Sequence, residues 1–213
     1  MKLAKLALVS AISILPMTAL HAEEDHVAPI QDYIDLDVQS WIGDETVISA
    51  IKAQNEKVAD MSEDDIIALD NEWRAQTSAD AKPLIDEVLS RPLSKFLATK
   101  QDESAGLISE VFVMDAKGLN VGQSSLTSDY WQGDEAKWQK TYLEGADAIF
   151  IDSAEVDDST GALQSQASIS ITDPATGKVG VRGTPGFIPG GWDTSSELQQ
   201  LPNPTGDNLF YGG

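Results

Sequence analysis

Apolar residues in the first part of the chain recur at helical spacing. Between Ile30 and Val58 they fall three or four residues apart, which is the period of one face of an α-helix. This pattern predicts one long helix over residues 30–60. Gly43, which is followed by an aspartate, is the point at which we expect this helix to kink.

Capping residues and prolines divide the following stretch into shorter helices. Ser62 precedes three acidic residues, which is typical of an N-cap and the first turn behind it. Pro83 and Pro92 each suit the first turn of a further helix, because that position needs no backbone N–H. The sequence therefore predicts a helical arm over residues 30–105.

The spacing changes to that of β-strands from Leu107 onwards. Gly118 supplies the positive φ that a tight turn needs, and an amphipathic segment over 134–143 predicts a helix. The predicted strands cover residues 111–114, 120–124, 148–152, 162–172 and 178–182. The fold class is therefore α+β: a long N-terminal helix and a PAS-like antiparallel sheet of about five strands, with a helix inserted between strands two and three.

The N-terminus has the pattern of a secretory signal peptide. Lys2 and Lys5 give it a positive start, a short apolar run covers 6–15, and small residues precede Glu23. The apolar run is too short to span a bilayer of about 30 Å as an uncleaved anchor. We therefore predict cleavage after Ala22 and a protein that is periplasmic or secreted.

Charge and composition exclude several classes of partner and chemistry. A formal net charge of −21 argues against nucleic acid and anionic membranes as partners. It is typical of solubility in a salty or periplasmic medium, with diffuse attraction for cations as the alternative. The chain has no cysteine, and its histidines are His21 and His26, both near the N-terminus. Thiol catalysis, His-dependent triads and Cys or His metal centres are therefore excluded, and we predict no enzyme and no cofactor.

Three successive segments together resemble a known family. They are the strand and turn VFVMDAKGLNVG, the loop and helix SDYWQGDEAKWQ, and the hairpin ISITDPATGKVGV. Their order is similar to that in the extracellular Cache (PDC-type) sensor domains of bacterial chemoreceptors and histidine kinases. The resemblance covers residues 30–185 and implies a ligand pocket between the sheet and the loop and helix above it. It also implies that Tyr130, Trp131 and Trp138 lie over the sheet.

The chain departs from the amino-acid-binding members of this family at several positions. Ala136 stands where many of them carry an arginine two residues before the helix tryptophan, and Val156 stands two residues before Asp158 where they carry a tyrosine. Many of those members also carry an aspartate after the last strand, whereas the residues after Val181 here are Arg182, Gly183 and Thr184, with no acid among them. The resemblance therefore does not imply that the ligand is an amino acid.

The aromatic and acidic loop at 129–134 is the sharpest candidate for ligand contact, because tryptophan and tyrosine give rigid contact area with a polar tip. A capped helix start with aromatics packed on the sheet is the alternative. Arg182 could clamp a carboxylate or form a surface ion pair. The acidic run that includes Asp158 could hold Ca²⁺ but fits a solvated turn better. The predicted ligand-binding residues are Asp129, Tyr130, Trp131, Trp138, Asp158 and Arg182.

These patterns together predict a single sensor domain that binds a small polar metabolite and acts through a partner, either a membrane receptor or a second copy of the chain. Residues 23–29 are predicted to be flexible, the sheet to cover 107–185, and 186–213 to form an irregular tail. Two alternatives stay open. One is a docking module that has lost its ligand, and the other is a hydrolase that uses a pair of carboxylates.

Overall fold

The computed structural model describes residues 26–156, 163–173, 175 and 179–187 of the 213-residue chain. It describes only the backbone of the last of these ranges, and of Val156 and Leu163. The predicted leader and all but the first two residues of the predicted tail lie outside the described residues.

The described part of the chain contains seven α-helices, six of which precede the sheet. A π-helical turn, Ile34–Val38, connects the first two. The helices are Val27–Tyr33 (α1), Gln39–Ile42 (α2), Glu45–Val58 (α3), Glu63–Thr77 (α4), Pro83–Ser90 (α5), Pro92–Glu103 (α6) and Ala136–Tyr142 (α7).

The predicted long helix is broken where a kink was expected. Helical structure stops at Ile42, and α3 begins anew behind Asp44, whose carboxylate accepts the Thr46 N–H at 2.7 Å. This cap satisfies a backbone donor at the start of α3, so the break costs little. The arm also begins earlier than predicted, because α1 starts at Val27 and Pro29 is already buried.

The predicted helix starts farther along the chain are confirmed. Ser62 caps α4, and its side chain and that of Asp65 each bond the other's backbone N–H in a reciprocal capping box. Pro83 and Pro92 occupy the first helical positions of α5 and α6. Local sequence chemistry therefore determines where these helices begin.

The strands form one main antiparallel sheet and a small separate hairpin. Their bounds are Ile108–Met114 (β1), Asn120–Gln123 (β2), Ile149–Ile151 (β3), Glu155–Val156 (β4), Leu163–Gln164 (β5), Ala167–Thr172 (β6) and Val179–Phe187 (β7). The sheet has the order β2-β1-β7-β6-β3, and β4 pairs with β5. α7 lies between β2 and β3 in the chain, as predicted.

Two strand boundaries differ from prediction. The alternating segment 162–172 is divided at Ser165, whose hydroxyl donates to the Asp152 carbonyl at 2.7 Å, and the two parts pair with different strands. β7 runs on to Phe187, which pairs with Ile108. A strand continues as long as its neighbour offers backbone partners, and composition alone does not report that.

Two hydrophobic clusters hold the arm against the sheet. The larger one joins α1, α2, α3 and α6 to one sheet face through Val111, Val113, Ile169 and other alternate strand residues. The smaller one joins α4 and α5 to the segment after β2, with Trp73 fully buried in it. Strand residues alternate in direction, so the intervening residues of β1 and β6 face the opposite side, where α7 packs.

Gly118 in the turn between β1 and β2 has φ +85°, as predicted. A Cβ at this position would lie 2.6 Å from the Gly133 backbone. The turn and the segment before α7 therefore pack so closely that residue 118 has no room for a side chain. Among the described helices, none is long and apolar enough to cross a membrane.

Candidate functional site

Two lysines of α7 lie over aromatic rings of the sheet. The Lys137 Nζ is 5.3 Å from the ring centroid of Phe112 on β1, and the Lys140 Nζ is 4.2 Å from that of Phe150 on β3. Each contact is within the range of a cation–π attraction. The two contacts lie on opposite sides of the two central strands, because β7 and β6 separate β1 from β3 in the sheet. We call the sheet surface beneath this helix the α7 face.

Ser168 of β6 lies on the α7 face between these two contacts. It pairs directly with Phe150 across the strands, so the two side chains point the same way. Its side chain is completely buried, and its hydroxyl has no hydrogen-bond partner among the described residues. A buried hydroxyl without a partner costs about 1–3 kcal/mol, so native proteins rarely leave one unpaired without a reason.

Ser170, two residues along the same strand, shows the contrasting case. Its hydroxyl donates to the Gly145 carbonyl at 2.6 Å, just beyond the end of α7. Ser170 therefore fastens the loop behind α7 to the sheet. Of these two serines, Ser168, near the start of β6, is the one whose hydroxyl has no partner among the described residues.

Charged groups flank the α7 face. Burial raises the pKa of the Glu110 carboxyl on β1, and the nearby Lys137 ammonium acts in the opposite direction. Lys137 itself forms an ion pair with Glu135 at 2.8 Å, and its side chain is only 15% exposed. A carboxyl group and an ammonium group thus stand at one edge of a partly apolar surface.

Trp138 is the predicted site residue that α7 carries itself. Its ring stacks on that of Tyr142 at 4.8 Å and 18°, and its indole N–H donates to the Asp115 carbonyl at 3.4 Å. The ring is half-buried. Trp138 therefore fixes α7 to the turn after β1 and remains partly exposed.

Arg182 and Asp158 are less fully described. The backbone of Arg182 lies in the middle strand, directly opposite Met114 of β1 and Ser170 of β6. Its strand position is therefore central to the sheet rather than at the end of the last strand, because β7 continues to Phe187. Asp158 lies outside the described residues.

Tyr130 packs away from the α7 face. Its ring stacks on Trp73 of α4 at 5.2 Å and 16°, and only 4% of the residue is exposed. Burial raises the pKa of its hydroxyl, while a hydrogen bond and charge from Arg91 act in the opposite direction. The expectation that Tyr130 lies over the sheet is therefore wrong, because the helical arm supplies an aromatic partner in the smaller cluster.

Asp129 and Trp131 are held by the same arm. The Asp129 carboxylate pairs with Arg74 at 2.9 Å. One oxygen of Asp70 accepts the backbone N–H groups of Tyr130 and Trp131 at 2.9 and 3.0 Å. The Trp131 indole donates to a turn carbonyl, that of Lys117, at 2.8 Å. The protein itself uses the polar groups that the sequence suggested for a ligand.

Sequence reasoning missed Glu110, Phe112, Lys137 and Ser168. The sequence did contain a signal for Ser168. Residues alternate between the two faces of a strand, so if Ala167 and the two isoleucines of 167–172 face the core, the serines between them face the other side. Nothing in the sequence alone indicated that a helix covers those serines.

The buried carboxylates of the described residues are each engaged. Asp70 is bound by Arg74 and two backbone N–H groups. Asp115 accepts the Gln54 amide at 2.9 Å, and Asp173 pairs with Lys52. No group of three or more His, Asp or Glu side chains within the described part of the chain is arranged to hold a metal ion.

No protein-family model and no curated protein matches this chain. Several solved structures do. They are sensory and ligand-binding domains. The ligand-binding domain of the Campylobacter jejuni chemoreceptor Tlp3 with L-valine is 17% identical, with a TM-score of 0.32, and the match covers 71% of this chain and 61% of that one. That of the Pseudomonas aeruginosa PAO1 chemoreceptor PctC with GABA is 15% identical, with a TM-score of 0.31, covering 78% and 61%.

The sensor domain of the Vibrio cholerae histidine kinase DctB is 12% identical, with a TM-score of 0.32, and the match covers 77% of this chain and 55% of that one. This is the class of domain that the sequence resemblance indicated. The chain spans 55% to 61% of the length of these three structures. A likeness this distant does not assign a ligand or a role to this chain.

Proposed function

We propose that this protein is a non-catalytic sensing domain of the PAS-like Cache type, exported to the periplasm or the medium, which binds a small polar metabolite and acts through a partner protein. The ligand lies between the sheet and α7. Its contacts are Ser168 of the sheet, Lys137 and Trp138 of α7, and Arg182 of the middle strand.

The single observation that carries this proposal is the buried, unpartnered hydroxyl of Ser168. The residue is completely buried beneath a helix, and no described residue bonds its oxygen. A ligand that offers a hydroxyl, an amine or a carboxylate would satisfy that group. The apolar rings of Phe112 and Phe150 on either side supply the contact area that a small-molecule site requires.

The chemistry of the α7 face favours a small ligand that carries at least one hydrogen-bonding group and one negative or polar end. Lys137 and Lys140 bring two cations to the face of a very acidic protein. Lys137 is already paired with Glu135, so an anionic ligand group would have to compete with or displace that carboxylate. Binding of an anionic ligand would therefore weaken or break the ion pair between Lys137 and Glu135, and this change at the start of α7 could report that the site is occupied.

A thermal-shift screen of the purified protein against small carboxylates, amines and polyols tests the proposal. A ligand at 100 times its Kd stabilises the folded state by about 2.7 kcal/mol, which corresponds to a rise in Tm of several degrees for a domain of this size. We expect at least one ligand class to produce such a shift. Ser168→Ala should reduce the shift by about half or more, as a tenfold loss of affinity requires, while the unliganded Tm stays the same or rises.

Ser109→Ala is the matched control, because Ser109 is an exposed serine of β1 on the same sheet. It should keep both the Tm and the ligand shift. A shift that is equal in Ser168→Ala and wild type would contradict the proposed site. No shift from any class in a broad panel would contradict the sensing function itself.

A docking module is the second candidate, because the arm exposes apolar side chains. Leu36 in the π-helical turn is 69% exposed, and Val27 of α1 is 39% exposed. Light scattering across a concentration series tests self-association. A dimer that Leu36→Glu disperses would support docking through the arm, and a concentration-independent monomer would count against it.

A further inference from the structure

Four buried polar side chains meet between β2 and the loop before α7. Asn120, Gln123, Thr127 and Gln132 are each between 0% and 5% exposed. The Asn120 amide N–H donates to Gln123 at 3.1 Å and to Thr127 at 3.2 Å, and also to the Asp129 carbonyl at 3.2 Å. Gln132 donates to that same carbonyl at 3.1 Å. We call these four side chains the amide cluster.

The amide cluster leaves three of its own atoms unpaired. Among the described residues, the Asn120 Oδ1, the Gln123 Nε2 and the Gln132 Oε1 are buried and have no hydrogen-bond partner. Two of the three are acceptors and one is a donor. The other atom of each amide is bonded: the Asn120 and Gln132 nitrogens donate to the Asp129 carbonyl, and the Gln123 oxygen accepts from Asn120.

Rotating the amides does not remove the deficit. Turning Asn120 over would bring its oxygen against the Asp129 carbonyl and the Gln123 oxygen, both of which are acceptors. Turning Gln132 over would oppose its oxygen to the Asp129 carbonyl. The present orientations are therefore the ones that the neighbours permit, and the missing partners must come from another molecule.

We infer that the amide cluster binds an ordered water molecule. A water between these amides would donate to the Asn120 and Gln132 oxygens and accept from the Gln123 N–H, so one molecule would supply both kinds of partner that the three atoms lack. Three hydrogen bonds are typical of a buried structural water. A metal cation could bond only the two oxygens and would repel the Gln123 donor, so the mixed set favours water.

The bound water would join β2 to the loop. Asn120 and Gln123 belong to β2, and Gln132 follows the segment that Asp70 and Arg74 hold. A surface cavity of about 480 Å³ is lined in part by Thr127, which belongs to the cluster, and by Asp129. This inference does not depend on the ligand proposed at the α7 face.

Nuclear Overhauser effects between water and side-chain amide protons test the inference in the whole protein. We expect a direct water signal at the amide protons of Gln123. The matched control is Gln54, a buried amide whose oxygen and nitrogen are both bonded within the protein, to Arg91 and Asp115. It should give no such signal. Gln123→Met should remove the water signal at the neighbouring Asn120 amide.

A crystal structure that resolves ordered waters is the second measurement, and it is independent of the variant's folding. A water bonded to Asn120, Gln123 and Gln132 supports the inference. A dry gap, a metal ion or a different molecule at that position would overturn it, as would amides that bond directly to one another.

Discussion

The loop that carries Tyr130 and the α7 face differ in whether their polar groups already have partners within the protein. In the loop, the Asp129 carboxylate has Arg74, the Tyr130 hydroxyl has Arg91, and the Trp131 indole has a turn carbonyl. On the α7 face, the Ser168 hydroxyl has no partner among the described residues.

This difference separates what holds the fold from what we propose binds a ligand. A polar group that the protein already satisfies has little left to offer a small molecule, because a ligand would have to replace an existing bond. A buried polar group that has no partner loses no existing hydrogen bond when it binds a ligand, so the whole free energy of the new hydrogen bond favours binding. The loop that looks most like a site in the sequence is therefore the better-anchored region, and the plainer strand carries the open hydroxyl.

Trp73→Ala tests the loop's anchoring role and should have the largest effect. Trp73 is fully buried and stacks on Tyr130, so its truncation should cost about 3–5 kcal/mol of unfolding free energy. Urea unfolding followed by circular dichroism measures this. Ile67→Ala on the same helix, where the side chain is 40% exposed, is the control and should change stability by about 0.5 kcal/mol. A similar small loss in both variants would show that the stack contributes little.

Asp70→Asn should have an intermediate effect. The Asp70 carboxylate accepts two backbone N–H groups of the loop and the Arg74 guanidinium. Asparagine keeps one acceptor but loses the charge, so we expect a cost of about 1–3 kcal/mol, measured by urea unfolding. Asp80→Asn, at an exposed loop acid, should be neutral. If Asp70→Asn is equally neutral, the loop is not held by this carboxylate.

Glu110→Gln tests the electrostatics of the α7 face and should have the smallest effect. Burial raises the folded-state pKa of Glu110, so its ionisation destabilises the fold. The full cost is present above the folded pKa and is lost as the pH falls from the folded pKa to the unfolded pKa. The variant should therefore be more stable than wild type at pH 7, by about 0.5–1 kcal/mol, and the gain should vanish in acid.

Thermal unfolding of both proteins across pH 4 to 8 measures this difference, with the exposed Glu144→Gln as the control. A constant difference between Glu110→Gln and wild type across that range would contradict the assignment of a raised pKa to Glu110.

Local features of the fold could be predicted from the sequence, and long-range ones could not. The Ser62 cap, the helix starts at the two prolines and the Gly118 turn depend on neighbouring residues only, and all are confirmed. The end of β7 and the division of the strand at Ser165 depend on partners far along the chain. The contact of Tyr130 with Trp73 is of the same long-range kind, because it joins elements 57 residues apart.

The candidate site divides in the same way. Trp138 was predicted because an aromatic residue on an amphipathic helix is visible in the sequence, and its contact with a ligand stays a prediction. Ser168 was not, because a serine on a strand becomes unusual only when a helix buries it without a partner. The structural observation that carries the proposed function is therefore an energetic one that only the folded chain reveals.

Isothermal titration of the strongest ligand from the thermal-shift screen against two variants tests the central claim most directly. Ser168→Ala removes the open hydroxyl of the α7 face, and Asp129→Asn weakens the anchored loop without touching that face. We predict that the first variant loses about tenfold or more in affinity, equivalent to about 1.4 kcal/mol, and that the second binds as wild type does. Full affinity in Ser168→Ala together with loss of binding in Asp129→Asn would contradict the account and return the ligand to the loop.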